Sequence, residues 1–291
     1  MQIIDPHLHL FNLAQGNYGW LKPSNPPHWP DKHQIHQNFG EADLRLSDGL
    51  SLAGYVHIEA GYDNQASWRE VDWVTEQANL PLRAVAHLDL TLESEPFLIG
   101  LDELRQRSCV VGVRHILDDQ VSALINHPNF AVNLQHLAQS ALHFELQFDS
   151  QKASDSALIF SLLNEYPALK FILNHAGFCG LENNEQSFKG LEQLANAANL
   201  SIKSSGFDMA DRAFSVQAAA NITARLCQLF GQERVMLASN FPLVRLSMSY
   251  ADYWSQMIEA LQREALPVQR LVFENAKQIY GFNALLNDHM R

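Results

Sequence analysis

The sequence predicts an α/β fold, a single (β/α)8 TIM-like barrel over residues 1–291 with a long loop insertion after strand 1. Three observations predict it. Eight short Val/Ile/Leu/Phe-rich runs alternate with helix-patterned segments. Their repeat of about 25 to 35 residues is that of parallel beta-alpha units, and eight such units fit a chain of this length. Ionisable residues, finally, gather at the ends of the runs.

The first run, Gln2 to Asp5, is expected to stop at Pro6, which has no N–H for a ladder. Residues 10–50 form an irregular tract carrying Pro23, Pro26, Pro27 and Pro30. So long a loop usually lines a site, and we read it as a flap over the barrel mouth, packed down by Trp20 and Trp29. The remaining runs are LAGYVHIEA from residue 52, LPLRAVAHLDL from 80, CVVGVRHI from 109, LHFELQFD from 142, LKFILNHAG from 169, LSIKSSG from 200 and RVMLASNFP from 234. Each closes on polar or turn residues, as strands do. Between them, residues 66–79 place Trp68, Val71, Val74 and Ala78 at helical spacing, and 154–165 repeat the pattern. Further helices are expected over 95–107, 130–140, 188–199, 213–230 and 250–263. The rival open doubly wound sheet would show five to seven strands and, in its dinucleotide-binding form, a glycine-rich first turn. Neither G-x-G-x-x-G nor G-x-x-x-x-G-K-[ST] occurs.

Composition narrows the function. Hydrophobic residues at 47% and aromatic residues at 10% supply ample core. Twenty basic against 32 acidic residues, a net charge of -12, argues against nucleic acid as a partner. It leaves room for a small-molecule substrate, carboxylated or not. Cys109, Cys179 and Cys227 are odd in number and far apart, which points to a reducing, cytoplasmic setting without disulfides. No apolar run reaches the roughly 20 residues of a membrane span, so no membrane partner is expected. A homodimer is open on frequency alone.

A barrel gathers all strand carboxyl ends around one mouth. His7 and His9 follow the first run, Glu59 the second, His87 the third, Arg114 and His115 the fourth and Gln147 the fifth. His175 follows the sixth, Lys203 closes the seventh and Asn240 the eighth. The i, i+2 spacing of His7 and His9 puts both on one face of an extended chain. His28, His33 and His36 read as loop histidines.

The segments DPHLHLF (5–11), GVRH (112–115), NHAG (174–177), KSSG (203–206), ASNFP (238–242) and ENAKQIYGF (274–282) resemble the amidohydrolase superfamily. The likeness is to its branch of sugar-lactone and 2-pyrone-4,6-dicarboxylate lactonases, and it runs in order along the whole chain. It implies a distorted barrel that opens a cyclic ester by water attack, with His7, His9 and His175 at the site. Asn240 stands where the family has an aspartate, and Asn174 replaces another.

Lactone hydrolysis needs a carbonyl polariser, a base and groups that hold the ring. The expected catalytic set is His7, His9, His175, Asn240 and Glu59. Glu59 enters as the base, a buried carboxylate whose pKa burial would raise; Asp89 and Asp208 are the other acids near strand ends. Arg114, His115, Lys203, His87 and Gln147 are the expected substrate-binding residues, Arg114 by gripping a carboxylate in a bidentate way. No cofactor is required on this reading; the alternative is one zinc or other divalent ion on His7, His9 and His175. The alternative functions are a metal-dependent amidohydrolase or decarboxylase on the same scaffold, or a ligand-binding homologue that lost turnover with the change at Asn240.

Overall fold

Parallel strands covered on both faces read as continuous apolar runs, and these runs become a ring of strands in the computed structural model, which describes residues 1–182 and 185–289. The strands are β1 (Gln2–Leu8), β2 (Ser51–Ile58), β3 (Leu82–His87), β4 (Val110–Arg114), β5 (His143–Leu146), β6 (Phe171–Leu173), β7 (Leu200–Ser204) and β8 (Val235–Leu237). They pair in sequence order, each neighbour parallel. At the seam, Leu8 bridges to Phe241. The His9 N–H donates to the Phe241 carbonyl at 2.7 Å, and the Asn240 N–H to the His7 carbonyl at 3.0 Å. The seam is thus tied at the end where the expected site residues lie.

β1 does not stop at Pro6. The register with β2 shifts between Asp5 and Leu8, and an irregularity there absorbs a residue without an N–H. The extension carries His7 in the strand itself. The helices are α1 (Trp68–Gln77), α2 (Ser94–Arg105), α3 (Val121–Ile125), α4 (Phe130–Ala138), α5 (Ala153–Glu165), α6 (Glu185–Leu194), α7 (Phe207–Ala210), α8 (Val216–Phe230), α9 (Tyr250–Arg263), α10 (Asn275–Ile279) and α11 (Asn283–His289). Two starts are set by caps: Ser215 Oγ accepts from the Ala218 N–H and Ser249 Oγ from the Asp252 N–H. Among the described residues no helix is long and apolar enough to cross a membrane.

The first crossover has no α-helix. Between β1 and β2 the chain makes three short 3-10 turns, Gly19–Leu21, Lys32–Ile35 and Glu41–Asp43. A buried cation organises this tract: the Lys32 ammonium donates to the carbonyls of Trp20 and Asn25 at 2.7 Å and of Lys22 at 3.2 Å. All three of its protons are used. Phe11 packs against Tyr18, Trp20 and Phe39 beneath, giving the tract an apolar base.

Candidate active site

The strand carboxyl ends and the 15–29 segment enclose a cavity of about 1650 Å³. His9, Glu59, His87, Arg114, His115, Gln147, His175 and Asn240 line it. His7 and Lys203 lie one layer below, both fully buried. The His7 ring centroid is 5.0 Å from that of His9 and 4.5 Å from that of His175.

His7 in β1 and His9 just beyond it are fixed in opposite tautomers. His9 Nδ1 lies 2.9 Å from the Ile58 carbonyl and 3.2 Å from that of Glu59. Carbonyls only accept, so Nδ1 carries the proton and Nε2 keeps its lone pair. His7 Nδ1 lies 3.2 Å from the Lys203 ammonium, which only donates, so the His7 proton sits on Nε2. That Nε2 is buried without a partner. Burial and the surrounding charges, Lys203 foremost for His7 and Arg114 for His9, hold both rings well below the usual histidine range. For His175, burial with Arg114 and Lys203 brings the value down to about 3.

Lys203, expected to meet the substrate, does not reach the cavity. Its ammonium is 2.6 Å from Glu145 Oε2, which also accepts from Asn174 Nδ2 at 2.7 Å. Glu145 Oε1 accepts from the Tyr280 hydroxyl at 2.8 Å. Burial opposes the charge on Glu145, but Lys203 and the donors around it outweigh that and hold the carboxyl far below its usual range. Burial lowers Lys203 to about 8, Glu145 resisting the fall, so the lysine is mainly protonated at neutral pH.

Arg114 and Glu59 also differ from expectation. Arg114 Nε donates to Glu59 Oε1 at 2.8 Å and its second amino nitrogen to the Glu59 carbonyl at 3.0 Å. The first amino nitrogen meets Gln147 Oε1 at 3.1 Å and Asn174 Oδ1 at 3.5 Å. The fork that was to grip a substrate carboxylate is therefore occupied. Burial raises the Glu59 carboxyl, yet Arg114, His87 and His57 more than reverse it and the net shift is downward. Glu59 is a paired anion, not a raised-pKa base. Gln147 is held at both ends, its Nε2 donating to Asp118 Oδ1 at 3.1 Å. His115 Nδ1 accepts from the Leu90 N–H at 3.2 Å, which leaves its Nε2–H as the free donor.

Two buried acids have affinity near neutrality: Asp5 in β1, which burial raises to about 6 against the hydrogen bonds from Ser239, and Asp208 on α7. Burial pushes the Asp208 carboxyl up to about 7, against the lowering effect of Asn240 and Arg212. Asn240 Nδ2 faces both its oxygens at 3.3 and 3.4 Å. Once ionised, as it mainly is above pH 7, the Asp208 carboxylate requires the amide nitrogen on its side, so Asn240 Oδ1 is turned away; it is buried without a partner among the described residues. Asn240 and His175 both have left-handed backbone, φ 59° and 51°, strain of the kind concentrated at working sites. Gly206 makes room for His175. Its φ is +75°, and a Cβ there would lie 2.7 Å from His175 Cβ and 2.8 Å from Nδ1. Gly206→Ala is expected to destabilise the fold by about 3 kcal/mol, from left-handed strain plus overpacking, and to displace His175; guanidinium unfolding of the variant checks it.

The donors do not fit a divalent ion. Metal-bound histidines pass their second N–H to a carbonyl or carboxylate, as His9 does, but His7 faces an ammonium that leaves a proton on the nitrogen a metal would need. Among the described residues no three His, Cys, Asp or Glu side chains converge as a metal set.

Glu145, Tyr280 and Asp208 carry this geometry, and the first two are not among the residues expected at the site. Tyr280 stands in the ENAKQIYGF segment far from any strand end, and Glu145 lies mid-strand with no signal beyond its charge in an apolar run.

A family profile described as Amidohydrolase matches residues 4–282. An uncharacterized protein of Sinorhizobium fredii is 27% identical over 269 residues, covering 87% of this chain and 89% of that protein. Among solved structures, an amidohydrolase of Burkholderia multivorans is similar in two crystal forms. The one with HEPES bound has a TM-score of 0.78 and the one with zinc bound 0.77, each at 18% identity over 97% of this chain and 99% of the other. A Pseudomonas putida protein described as a candidate 2-pyrone-4,6-dicarboxylic acid hydrolase has a TM-score of 0.67 at 19% identity, over 97% of this chain and 98% of its own. With one profile spanning nearly every residue from β1 to the last turn before α11, the chain belongs to the amidohydrolase family.

Proposed function

We propose that the protein hydrolyses the lactone of a sugar acid. One observation carries this reading: adjacent imidazoles held as opposites, a donor at His7 Nε2 and an acceptor at His9 Nε2. The lactone carbonyl oxygen enters between the cavity-lining His9 and His175 rings, which cover His7, and accepts from the His7 Nε2–H beneath them. Water bound to Asn240 Oδ1 attacks the carbonyl carbon and passes its proton to His9 Nε2. His9 is a weak base at rest because burial and Arg114 oppose its cation; negative charge growing on the carbonyl oxygen counters that field as the reaction proceeds. The ring C–O bond then breaks, the leaving alkoxide takes the proton from His9, and the hydroxy acid loses its proton to solvent. Asp208 holds the Asn240 amide with its oxygen toward the water.

The Arg114–Glu59 pair leaves no uncompensated cation for a pyrone dicarboxylate, so the neutral sugar lactone is favoured. His87, His115 and Gln147 surround the ring as hydroxyl partners. The test is proton release with a panel of aldonolactones. Turnover is expected, and EDTA treatment is expected to leave it within about twofold, because every step uses side-chain protons. Absence of turnover across the panel by folded protein refutes the reading.

A further inference from the structure

The cavity is larger than opening one ring requires. At about 1650 Å³ it exceeds the roughly 300 to 1,000 Å³ of small-ligand pockets, so a lactone ring placed beside His9, His175 and Asn240 leaves most of it unfilled. The outer part is a trough. Residues 15–29 and the β2–α1 loop line it together, joined by the Asn17 N–H to the Tyr62 carbonyl and the Tyr18 N–H to the Gly61 carbonyl, each at 2.8 Å, with Trp20 and Trp29 on the first segment and Tyr62, Asn64 and Gln65 on the second.

Both indoles are fixed in place by the protein. Trp20 Nε1 donates to the Ala60 carbonyl at 2.8 Å. The Arg212 guanidinium lies 4.8 Å over the Trp29 ring and is itself held by Asp31 at 2.7 Å. Such aromatic surface is ordered in advance and costs little to use. The two rings meet at 75°, 6.4 Å between centroids, so they form no parallel slot for a flat aryl group. A single indole face suits the C–H face of a pyranose, and the amides of Asn64 and Gln65 each offer a donor and an acceptor to neighbouring hydroxyls. The cation at the rim, Arg69, is paired with Asp63 at 2.9 Å, which disfavours a phosphate or carboxylate there.

We infer that the trough is a glycosyl subsite and that the preferred substrate is the lactone of a disaccharide acid. Its lactone ring lies beside His9, His175 and Asn240 and its second sugar on the Trp20–Trp29 surface. The inference rests on the lactone reading above, and its test has two arms. In proton-release kinetics, lactobionolactone is expected to exceed gluconolactone in kcat/KM by about tenfold, the scale of one good aromatic contact. Trp29→Ala should bring that ratio close to one, and Trp29→Phe, which keeps a ring face, should retain most of it. In calorimetry, lactobionate should bind more tightly than gluconate by a similar factor, again lost in Trp29→Ala. Trp29-dependent preference for lactobionate without turnover of either lactone supports the subsite and refutes only the hydrolysis. Equal kcat/KM for the two lactones with equal affinity for the two acids, or a preference that survives Trp29→Ala, overturns the subsite.

Discussion

Lys203→Met is expected to lower kcat for lactone opening by about 100- to 1000-fold, the usual loss when one oxyanion donor is removed. Lys203 does not touch the cavity, so the effect runs through His7: without the ammonium 3.2 Å from Nδ1, nothing keeps the proton on Nε2. The same change leaves Glu145 buried and short of its counter-ion, at a cost of about 3 to 5 kcal/mol. The two consequences separate in the Lys203→Met/Glu145→Gln double variant. With no unpaired charge left, most of the stability in guanidinium unfolding should return, while kcat should stay low because the His7 tautomer is still unfixed. Recovery of both together would mean that Lys203 matters only for folding.

Asp208→Asn is the second large effect, about 100-fold in kcat. Two facing amides pair equally well either way round, so Asn240 loses the constraint that turns Oδ1 toward the water. Exchanging the pair, Asp208→Asn with Asn240→Asp, restores an acid–amide couple with its carboxylate at the cavity and should recover at least about tenfold of the loss. Stability should move oppositely. Because the Asp208 carboxyl sits at about 7 folded against 3.8 in its ordinary state, folding takes up a proton across that interval, and this group makes the folded state less stable as pH rises from about 4 to 7. Above pH 7 the Asp208→Asn protein should therefore be more stable than the parent, yet slower. Unfolding midpoints and kcat measured together at pH 8 check both signs.

The barrel was legible because its strands are covered on both faces and stand out as apolar runs, from LAGYVHIEA to RVMLASNFP, with polar residues conspicuous at their ends. The convergence of His9, His175 and Asn240 followed from that topology. What each group does was not legible. Arg114 and Lys203 look alike as cations closing strands, yet one lines the cavity with its fork on Glu59 and the other lies under His7 against Glu145. Partner choice between strands depends on side-chain reach across the barrel, and no local pattern encodes it. Asp208 stood in the sequence as one acid among three near strand ends; only its burial behind Asn240 sets it apart from Asp89, whose carboxyl is lowered, burial being outweighed by hydrogen bonds from Thr91. The missing first helix likewise left the tract at 10–50 without periodicity, and its organiser, Lys32, reads from sequence as an ordinary surface lysine.

The hydroxyl of Tyr280 supplies Glu145 with a donor from a segment synthesised 135 residues later. Glu145 and Lys203 leave the ribosome well before Tyr280. A nascent chain paused before Tyr280 therefore holds a buried charged pair that lacks one donor, and such a chain is exposed to quality-control proteases. The Glu145–Lys203 pair is complete only once Tyr280 has cleared the exit tunnel, so a chain truncated before residue 280 should be degraded, which pulse-chase of the truncated and full chains checks.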